Sequence, residues 1–229
     1  MKPHQNNSGF SFVDLLVIVA VSLVVGFVIL RVLSQAHHSP RPITCTNNLK
    51  QVGLAFRVWA YDNDEKFPMQ VSVTNGGVME LANEGSAYAV FMLMSNELNT
   101  PKILFCPQES NRQRVRANVF AHSIPRQRGD AEVAFTPTNN VSYFVGLDAN
   151  SGKPQEILGG DDHLQVVGKT PMPGLFLLPT NAPVMWRDER HRKQGNILFA
   201  NGSVSGFTNS DFRDVLAKTG IATNRLAMP

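Results

Sequence analysis

The sequence has little cysteine and little charge. Only 2 of its 229 residues are cysteine, which excludes a small scaffold held together by many disulfides. Charged residues make up 17% of the chain, and 21 basic against 18 acidic side chains leave a net charge of +3. This bias is too weak to indicate nucleic-acid binding. The chain is long enough to bury a core, so we expect a folded protein.

The sequence also lacks the short motifs that mark common enzyme classes. It contains no glycine-rich phosphate loop, no Gly-x-Ser-x-Gly elbow and no spacing typical of a catalytic triad. Arg112, Arg114 and Arg116 alternate with other residues, and on a strand they would form one basic face. That pattern alone is weak, so we expect no nucleic-acid partner.

One long apolar run lies near the N-terminus, from Phe10 to Leu30. As a helix this run would span about 30 Å, which is the thickness of a bilayer core. The pattern favours a transmembrane anchor. A secretory signal cut after Ala36 and a buried core helix are the weaker alternatives.

Asp14 is the acidic residue within this run. A carboxylate at the centre of an apolar span costs about 2.5–3.5 kcal/mol, so such a residue usually has a function and a partner. Lys2 lies before the run and Arg31 at its far end. We therefore expect the partner of Asp14 on another chain or at a free amino group, unless Asp14 lies at the level of the lipid headgroups.

The residues from Gly9 to Asp14, Gly-Phe-Ser-Phe-Val-Asp, resemble the signature of type IV prepilins and type II secretion pseudopilins. The resemblance implies that a prepilin peptidase cuts after Gly9 and methylates the new amino group of Phe10. It also implies that Asp14, where the family usually has Glu, neutralises the Phe10 amino group of a neighbouring subunit during assembly.

Further blocks resemble a large pseudopilin-like family of planctomycete and verrucomicrobial bacteria. The longest runs from Cys45 to Phe56, and a C-terminal His-x9-Asp-Gly element corresponds to His191, Asn201 and Gly202, with Asn201 in place of the family's Asp. Shorter matching pieces are Asp62-Asn63-Asp64, Phe67-Pro68, Phe105-Cys106-Pro107 and Ser142-Tyr143.

The expected fold is α+β and pilin-like. Residues 1–9 would be the leader peptide, 10–33 a transmembrane and assembly helix, and 34–42 a kink or break caused by Pro40 and Pro42. Residues 43–229 would form a periplasmic globular domain, in which a second, amphipathic helix packs on a small antiparallel sheet with long loops. The predicted buried face of that helix consists of Cys45, Leu49, Val52, Phe56 and Trp59.

The C-terminal part has the pattern of short strands. Residues 184–186, 196–200 and 204–207 are predicted as strands of an antiparallel meander, and 211–218 as a closing helix. Asn201-Gly202 predicts a hairpin with a type I′ turn, in which both central residues have positive φ.

Two groups of residues are candidates for chemistry. Cys45 and Cys106 are either joined in a disulfide or buried separately. Asp161-Asp162-His163 and Asp188-Glu189-x-His191 combine carboxylates with imidazole, as metal sites do, but the favoured interpretation is solvated charge in exposed loops. We expect no cofactor, and the resemblance leaves calcium as a candidate ion.

The sequence thus predicts a pseudopilin-like structural subunit without enzymatic activity. Its expected location is the bacterial inner membrane, crossed once, with a periplasmic C-terminal domain. The expected partners are a prepilin peptidase, other pseudopilin subunits and inner-membrane lipid. The alternative is a membrane-tethered periplasmic enzyme or a protein that binds a metal or another ligand.

Overall fold

The computed structural model describes residues 12–36, 41–120, 132–137 and 139–229. The chain forms two compact units, Met1–Pro40 and Arg41–Pro229. Gly9 and Phe10, the predicted processing residues, lie outside the described residues.

The first unit contains helix α1, Phe12–Ala36, with Asp14 in its first turn. Side chains are described from Phe12 to Phe27, and the large apolar ones among them are between 48% and 74% exposed. They lie on every side of the helix, because they occupy nearly all consecutive positions. This part of α1 therefore presents an apolar surface around its whole circumference.

The predicted transmembrane helix is the first correction. Among the described residues, no helix combines the length and the apolar character that crossing a membrane requires. The fold prediction was therefore wrong in its N-terminal element, and the same finding contradicts the predicted location as a single-pass inner-membrane protein.

The second unit begins with helix α2, Arg41–Tyr61. Pro42 is the second residue of this helix, where its missing amide hydrogen costs no helical hydrogen bond. Within the predicted break at 34–42, residues 34–36 belong to the end of α1 and residues 41–42 to the start of α2. Residues 37–40 lie outside the described ranges. The predicted face of α2 is buried, since each of its five residues is at most 6% exposed.

Several short helices follow α2 and pack near it. The α-helices are α3 Met79–Asn83, α4 Ala87–Leu93 and α5 Ser95–Leu98. The 3-10 helices are Pro68–Gln70, Val73–Asn75 and Pro101–Leu104. A last helix, α6 Asn209–Lys218, begins at a Thr208 N-cap whose hydroxyl and backbone amide both bond to Asp211. The predicted cap, Ser210 or Asp211, was one turn too late.

The strands form one six-stranded antiparallel sheet and one two-stranded sheet, so the domain is α+β. The strands are β1 Tyr143–Gly146, β2 Ile157–Asp161, β3 Leu164–Val166, β4 Gly174–Pro179, β5 Val184–Trp186, β6 Gln194–Phe199, β7 Val204–Thr208 and β8 Thr223–Met228. The order in the six-stranded sheet is β4-β8-β1-β2-β6-β7, and the two-stranded sheet is β3-β5. The predicted meander was wrong in one strand, because β5 pairs with β3 and not with β6.

The hairpin between β6 and β7 turns at Asn201-Gly202, but its turn is not type I′. Only Gly202 of the two has a positive φ, +83°. The turn is instead held by the Asn201 carboxamide, whose Oδ1 accepts hydrogen bonds from the Ser203 amide at 2.9 Å and from its hydroxyl at 2.7 Å. An Asn side chain that caps its own turn makes the second left-handed residue unnecessary.

Apolar side chains cover both faces of the six-stranded sheet. Tyr143 and Val145 of β1 join the core formed with α2, whereas Phe144 between them joins a second core with Trp186 and Phe212. This alternation is the period of two of a β-strand. The sheet therefore lies between α2 on one face and α6 with the β3-β5 pair on the other.

Candidate functional site

A disulfide lies at the centre of the second unit, between Cys45 and Cys106. It joins the first turns of α2 to the segment that follows the 3-10 helix Pro101–Leu104, with a Cα–Cα distance of 5.4 Å. Both cysteines are fully buried. Of the two alternatives left open by the sequence, the structure has the disulfide, and separately buried cysteines are excluded.

His191 packs against this disulfide. Its Nε2 lies 3.4 Å from Cys106 Sγ and 3.6 Å from Asp161 Oδ2, and its side chain is 4% exposed. The backbone that presents His191 is unusual, because His191, Arg192 and Lys193 have φ values of 53°, 51° and 62°. Left-handed conformations are unfavourable for residues other than glycine, and they concentrate at functional sites.

Asp161 ends β2 and holds the neighbouring strand. Its Oδ2 accepts hydrogen bonds from Asn196 N at 2.7 Å and from Asn196 Nδ2 at 2.8 Å. Asn196 Oδ1 in turn accepts a bond from Thr46 of α2 at 3.0 Å. Burial raises the pKa of Asp161, but contact with His191 and the charge of Arg190 outweigh burial, so its pKa is lowered.

Asp162 belongs to a separate ionic cluster, which contains Asp162, Glu109, Arg114 and Arg190. Arg190 pairs with Asp162 and lies 3.4 Å from Glu109, while Arg114 lies 2.5 Å from Asp162 and 3.1 Å from Glu109. All four side chains are at least 86% buried. Burial raises the pKa of Asp162, but the two guanidinium groups outweigh it and lower the pKa below its usual range.

His163 lies beside both the Asp161–His191 contact and the ionic cluster. Its Nε2 is 2.9 Å from the Gln194 carbonyl oxygen, and its ring centroid lies 5.2 Å from that of Trp186 and 5.5 Å from that of His191. Burial lowers the pKa of His163 from 6.5 to about 4 despite the nearby Asp161 carboxylate. The imidazole is therefore neutral at pH 7, and Nε2–H donates to the carbonyl.

The interpretation of the acidic loops as solvated charge was wrong for four residues and right for two. Asp161, Asp162 and His163 are buried, and the His191 side chain is nearly so. Asp188 and Glu189 are exposed, and Glu189 pairs with the partly exposed Arg187 at 3.1 Å. The alternating arginines do not form a basic strand face. No strand covers residues 111–117, Arg114 turns inward to the ionic cluster, and Arg112 and Arg116 stay exposed.

Three residues of these contacts were missed in the sequence, Glu109, Arg190 and Asn196, and Arg114 was noted only as one of the alternating arginines. Except within the Glu109–Arg114 pair, the ion pairs of the cluster and the Asp161–Asn196 contact join residues 28 to 81 positions apart along the chain. An Arg and a His side by side at 190–191, facing Asp-Asp-His at 161–163, were the available signal. These two segments carry opposite charges and are flanked by apolar residues, a combination that could have suggested a buried ion pair.

The residues that carry the family resemblance do not lie together in the structure. His191 lies at the disulfide, whereas Asn201 and Gly202 form the β6-β7 turn. Gly202 meets α2 at Gly53, since a Cβ on Gly53 would lie 3.5 Å from the Gly202 Cα. Asp14 lies in the first turn of α1, in the other unit.

One group of metal-ligand type occurs within the part of the chain that the structure describes. Cys45 Sγ, Cys106 Sγ and one nitrogen of His191 all lie within 4.8 Å of one another. Sulfur ligands bind a metal as thiolates, so the two cysteines cannot bind a metal while they form the disulfide. The carboxylates of Asp162 and Glu109 are already matched by arginines, which makes them poor calcium ligands.

No family model matches the sequence, and no curated protein or solved structure is significantly similar to it.

Proposed function

We propose that this chain is a pseudopilin-like structural subunit, without enzymatic activity, that assembles into a type II secretion or type IV pilus-like filament through α1. A prepilin peptidase would first remove residues 1–9. The observation that carries the proposal is the exposed apolar surface around the described part of α1, with Asp14 in the first turn.

A helix that is apolar on every side is normally covered by other apolar groups. Identical helices from further subunits are the occupants that best fit α1, because one apolar surface then covers another of the same length. The resemblance of residues 9–14 to prepilins supports this choice, since it implies both the cleavage that frees the Phe10 amino group and the pairing of that group with Asp14. The free amino group of Phe10 on a neighbouring subunit would pair with the Asp14 carboxylate and fix the register between helices.

The second unit suits a structural role. The buried carboxylates of Asp162 and Glu109 are paired with arginines, and a disulfide ties α2 to the segment around Cys106. Buried ion pairs that lose a partner are strongly destabilising, so such a cluster keeps one arrangement. A catalytic carboxylate would instead need access to a substrate.

The first test is processing. The full chain and a Gly9→Ala variant would be produced in cells that also make a prepilin peptidase, and their N-termini determined by mass spectrometry. We expect a chain that begins at N-methylated Phe10, and a variant that keeps Met1. An unprocessed wild-type chain, or a chain that begins at residue 37, would contradict the proposal.

The second test is assembly, measured by crosslinking between α1 helices with a photoreactive residue at position 17. Asp14→Asn should be processed normally but should lose most of the crosslinked multimers. Glu84→Gln, which removes one exposed acid from the second unit, is the matched control and should assemble as the wild type does. Equal crosslinking in all three chains would contradict the role of Asp14, and a wild-type chain that is processed but never crosslinks would contradict assembly through α1.

A further inference from the structure

We propose that the chain binds one zinc ion when its disulfide is reduced, through Cys45, Cys106 and His191. We call these three residues the Cys–His site. The site would have two states, a disulfide under oxidising conditions and a zinc complex under reducing conditions. The inference does not depend on the proposed function, because it concerns the second unit alone.

The distances fit a tetrahedral zinc ion. Zinc lies about 2.3 Å from thiolate sulfur and about 2.0–2.1 Å from imidazole nitrogen, so neighbouring ligand atoms are roughly 3.5 Å apart. His191 Nε2 lies 3.4 Å from Cys106 Sγ, and the three candidate atoms are all within 4.8 Å of one another. After reduction, the two sulfurs must separate. A rotation about the Cα–Cβ bonds accomplishes this, since the backbones already stand 5.4 Å apart.

A second observation points to a cation at this place. Asp161 Oδ2 lies 3.6 Å from the same nitrogen of His191, so the carboxylate and the sulfur approach that nitrogen together. Asp161 is fully buried, and its other oxygen, Oδ1, has no hydrogen-bond partner within the described ranges. An unsatisfied buried carboxylate oxygen is costly. Asp161 is not one of the three residues whose ligand atoms lie within 4.8 Å of one another, so its carboxylate would balance the charge of the ion and orient His191, and water would supply the fourth ligand.

The protein positions His191 before any metal is bound. The left-handed backbone at residues 191–193 directs the imidazole inward, while Arg192 and Lys193 stay exposed. Cys45 is held by α2, and Asp161 is fixed by its two hydrogen bonds from Asn196. Ligands from three separate segments thus meet at one buried point, which lowers the entropy cost of forming a site.

The chemistry balances with a dithiol as the reductant. The dithiol gives two electrons and two protons to the Cys45–Cys106 bond, which breaks into two thiols, and the dithiol closes into its own disulfide. Zinc then binds two thiolates and the neutral imidazole, and the two thiol protons pass to water. In the reverse direction, a small-molecule disulfide takes two electrons from the two thiolates and two protons from water and becomes a dithiol, which restores the protein disulfide and releases the ion.

Cobalt binding to the full chain tests the proposal. One sample is kept oxidised, and the other is reduced with a phosphine, which does not compete as a thiol ligand. Co²⁺ is then added and its absorption recorded. The reduced chain should bind one Co²⁺ with the charge-transfer band of thiolate ligands and the visible bands of a tetrahedral ion, and Zn²⁺ should abolish both at one equivalent. The oxidised chain should show neither band.

Two histidine variants distinguish a site from unspecific thiol binding. His191→Gln should weaken Co²⁺ binding by about tenfold or more, because it removes a ligand. His163→Gln is the matched control, since its ring lies 5.5 Å from that of His191 but outside the Cys–His site, and its affinity should stay close to that of the wild type.

Three results would overturn the proposal: equal Co²⁺ binding by the oxidised and reduced chains, a spectrum without thiolate bands, or unchanged affinity in His191→Gln. If His191→Gln fails to fold by circular dichroism, X-ray absorption of the zinc-loaded wild-type chain decides. Two sulfurs and at least one imidazole around zinc support the site, and a shell without imidazole overturns it.

Discussion

Asp161 and Asn196 join β2 to β6 through a two-point hydrogen bond, in which one carboxylate oxygen accepts both the backbone and the side-chain N–H of the asparagine. The carboxamide oxygen of Asn196 accepts a hydrogen bond from the Thr46 hydroxyl on α2. A single side chain thus connects the sheet to the long helix that covers it. The contact also fixes the carboxylate that faces His191, so it supports both the fold and the Cys–His site.

Replacing this asparagine should be costly. Asn196→Ala removes the side-chain donor to a buried carboxylate, and we expect the free energy of unfolding to fall by about 1–3 kcal/mol. Urea unfolding followed by circular dichroism measures the change. Asn47→Ala, on the exposed side of α2, is the matched control and should stay within about 0.5 kcal/mol of the wild type. Equal losses in both variants would show that the Asp161 contact contributes nothing specific.

Arg190 holds the ionic cluster together. Arg190→Leu leaves Asp162 and Glu109 buried with only Arg114 as a cation, and we expect a loss of about 3–5 kcal/mol at pH 7. The loss arises because an uncompensated charge stays buried. Urea unfolding at pH 7 would measure it.

The control for Arg190 is Arg187, three positions earlier. Arg187 pairs with Glu189, whose side chain is 51% exposed, so Arg187→Leu should cost about 0–1 kcal/mol. If the two arginine variants lose the same stability, burial of the cluster is not the cause of its strength.

Stability should fall as the pH falls from about 6.5 to about 4, because His163 is buried neutral. The pKa of His163 is lowered to about 4 in the folded chain, whereas the unfolded chain titrates near 6.5. Between these values the unfolded state binds more protons than the folded state, so acid favours unfolding. We expect a loss of about 2–3 kcal/mol between pH 7 and pH 4.5.

The pH dependence has its own control in His163→Gln. This variant loses the titrating group, so its stability should change less over the same pH range, whatever its stability at pH 7. Urea midpoints at pH 7 and 4.5 give the comparison. Asp161 and Asp162 contribute in a lower window, since their lowered pKa values stabilise the fold above the ordinary carboxyl pKa and that stability is lost as the pH falls through the folded values. Parallel slopes in the wild type and His163→Gln would contradict the assignment to His163.

The local elements were readable from the sequence because periodicity depends on nearby residues. The spacing of Cys45, Leu49, Val52, Phe56 and Trp59 gave the buried face of α2, and residues 184–186 were placed in a strand with the correct bounds. Strand partners were not readable, because pairing depends on contacts between distant segments. β5 therefore appeared next to β6, although it pairs with β3.

The candidate site was only half visible for the same reason. Asp161, Asp162, His163 and His191 were singled out by residue type, but exposed loops were expected around them. Burial was decided by Arg190 and Arg114, which neutralise Asp162 from other segments. Burial of a charged side chain cannot be predicted from the sequence as long as its partner is unknown.

Gly195 provides the last prediction, because it lets the Trp186 ring lie directly on β6. A Cβ at position 195 would overlap carbon atoms of that ring. The ring has no room to retreat, since it also stacks on Phe212 with centroids 4.7 Å apart and lies 5.2 Å from His163. We expect Gly195→Ala to lower the free energy of unfolding by about 1–3 kcal/mol, or somewhat more.

Gly206, on the neighbouring strand β7, is the matched control. It is exposed, and the nearest atom to an added Cβ would be Asn196 Oδ1, at an ordinary distance of 3.7 Å. Gly206→Ala should therefore be neutral within about 0.5 kcal/mol, or slightly stabilising because alanine restricts the unfolded chain. Urea unfolding and near-ultraviolet circular dichroism should separate the two variants, since only Gly195→Ala is expected to change the tryptophan signal. A stable Gly195→Ala with an unchanged signal would mean that Trp186 does not lie against this strand.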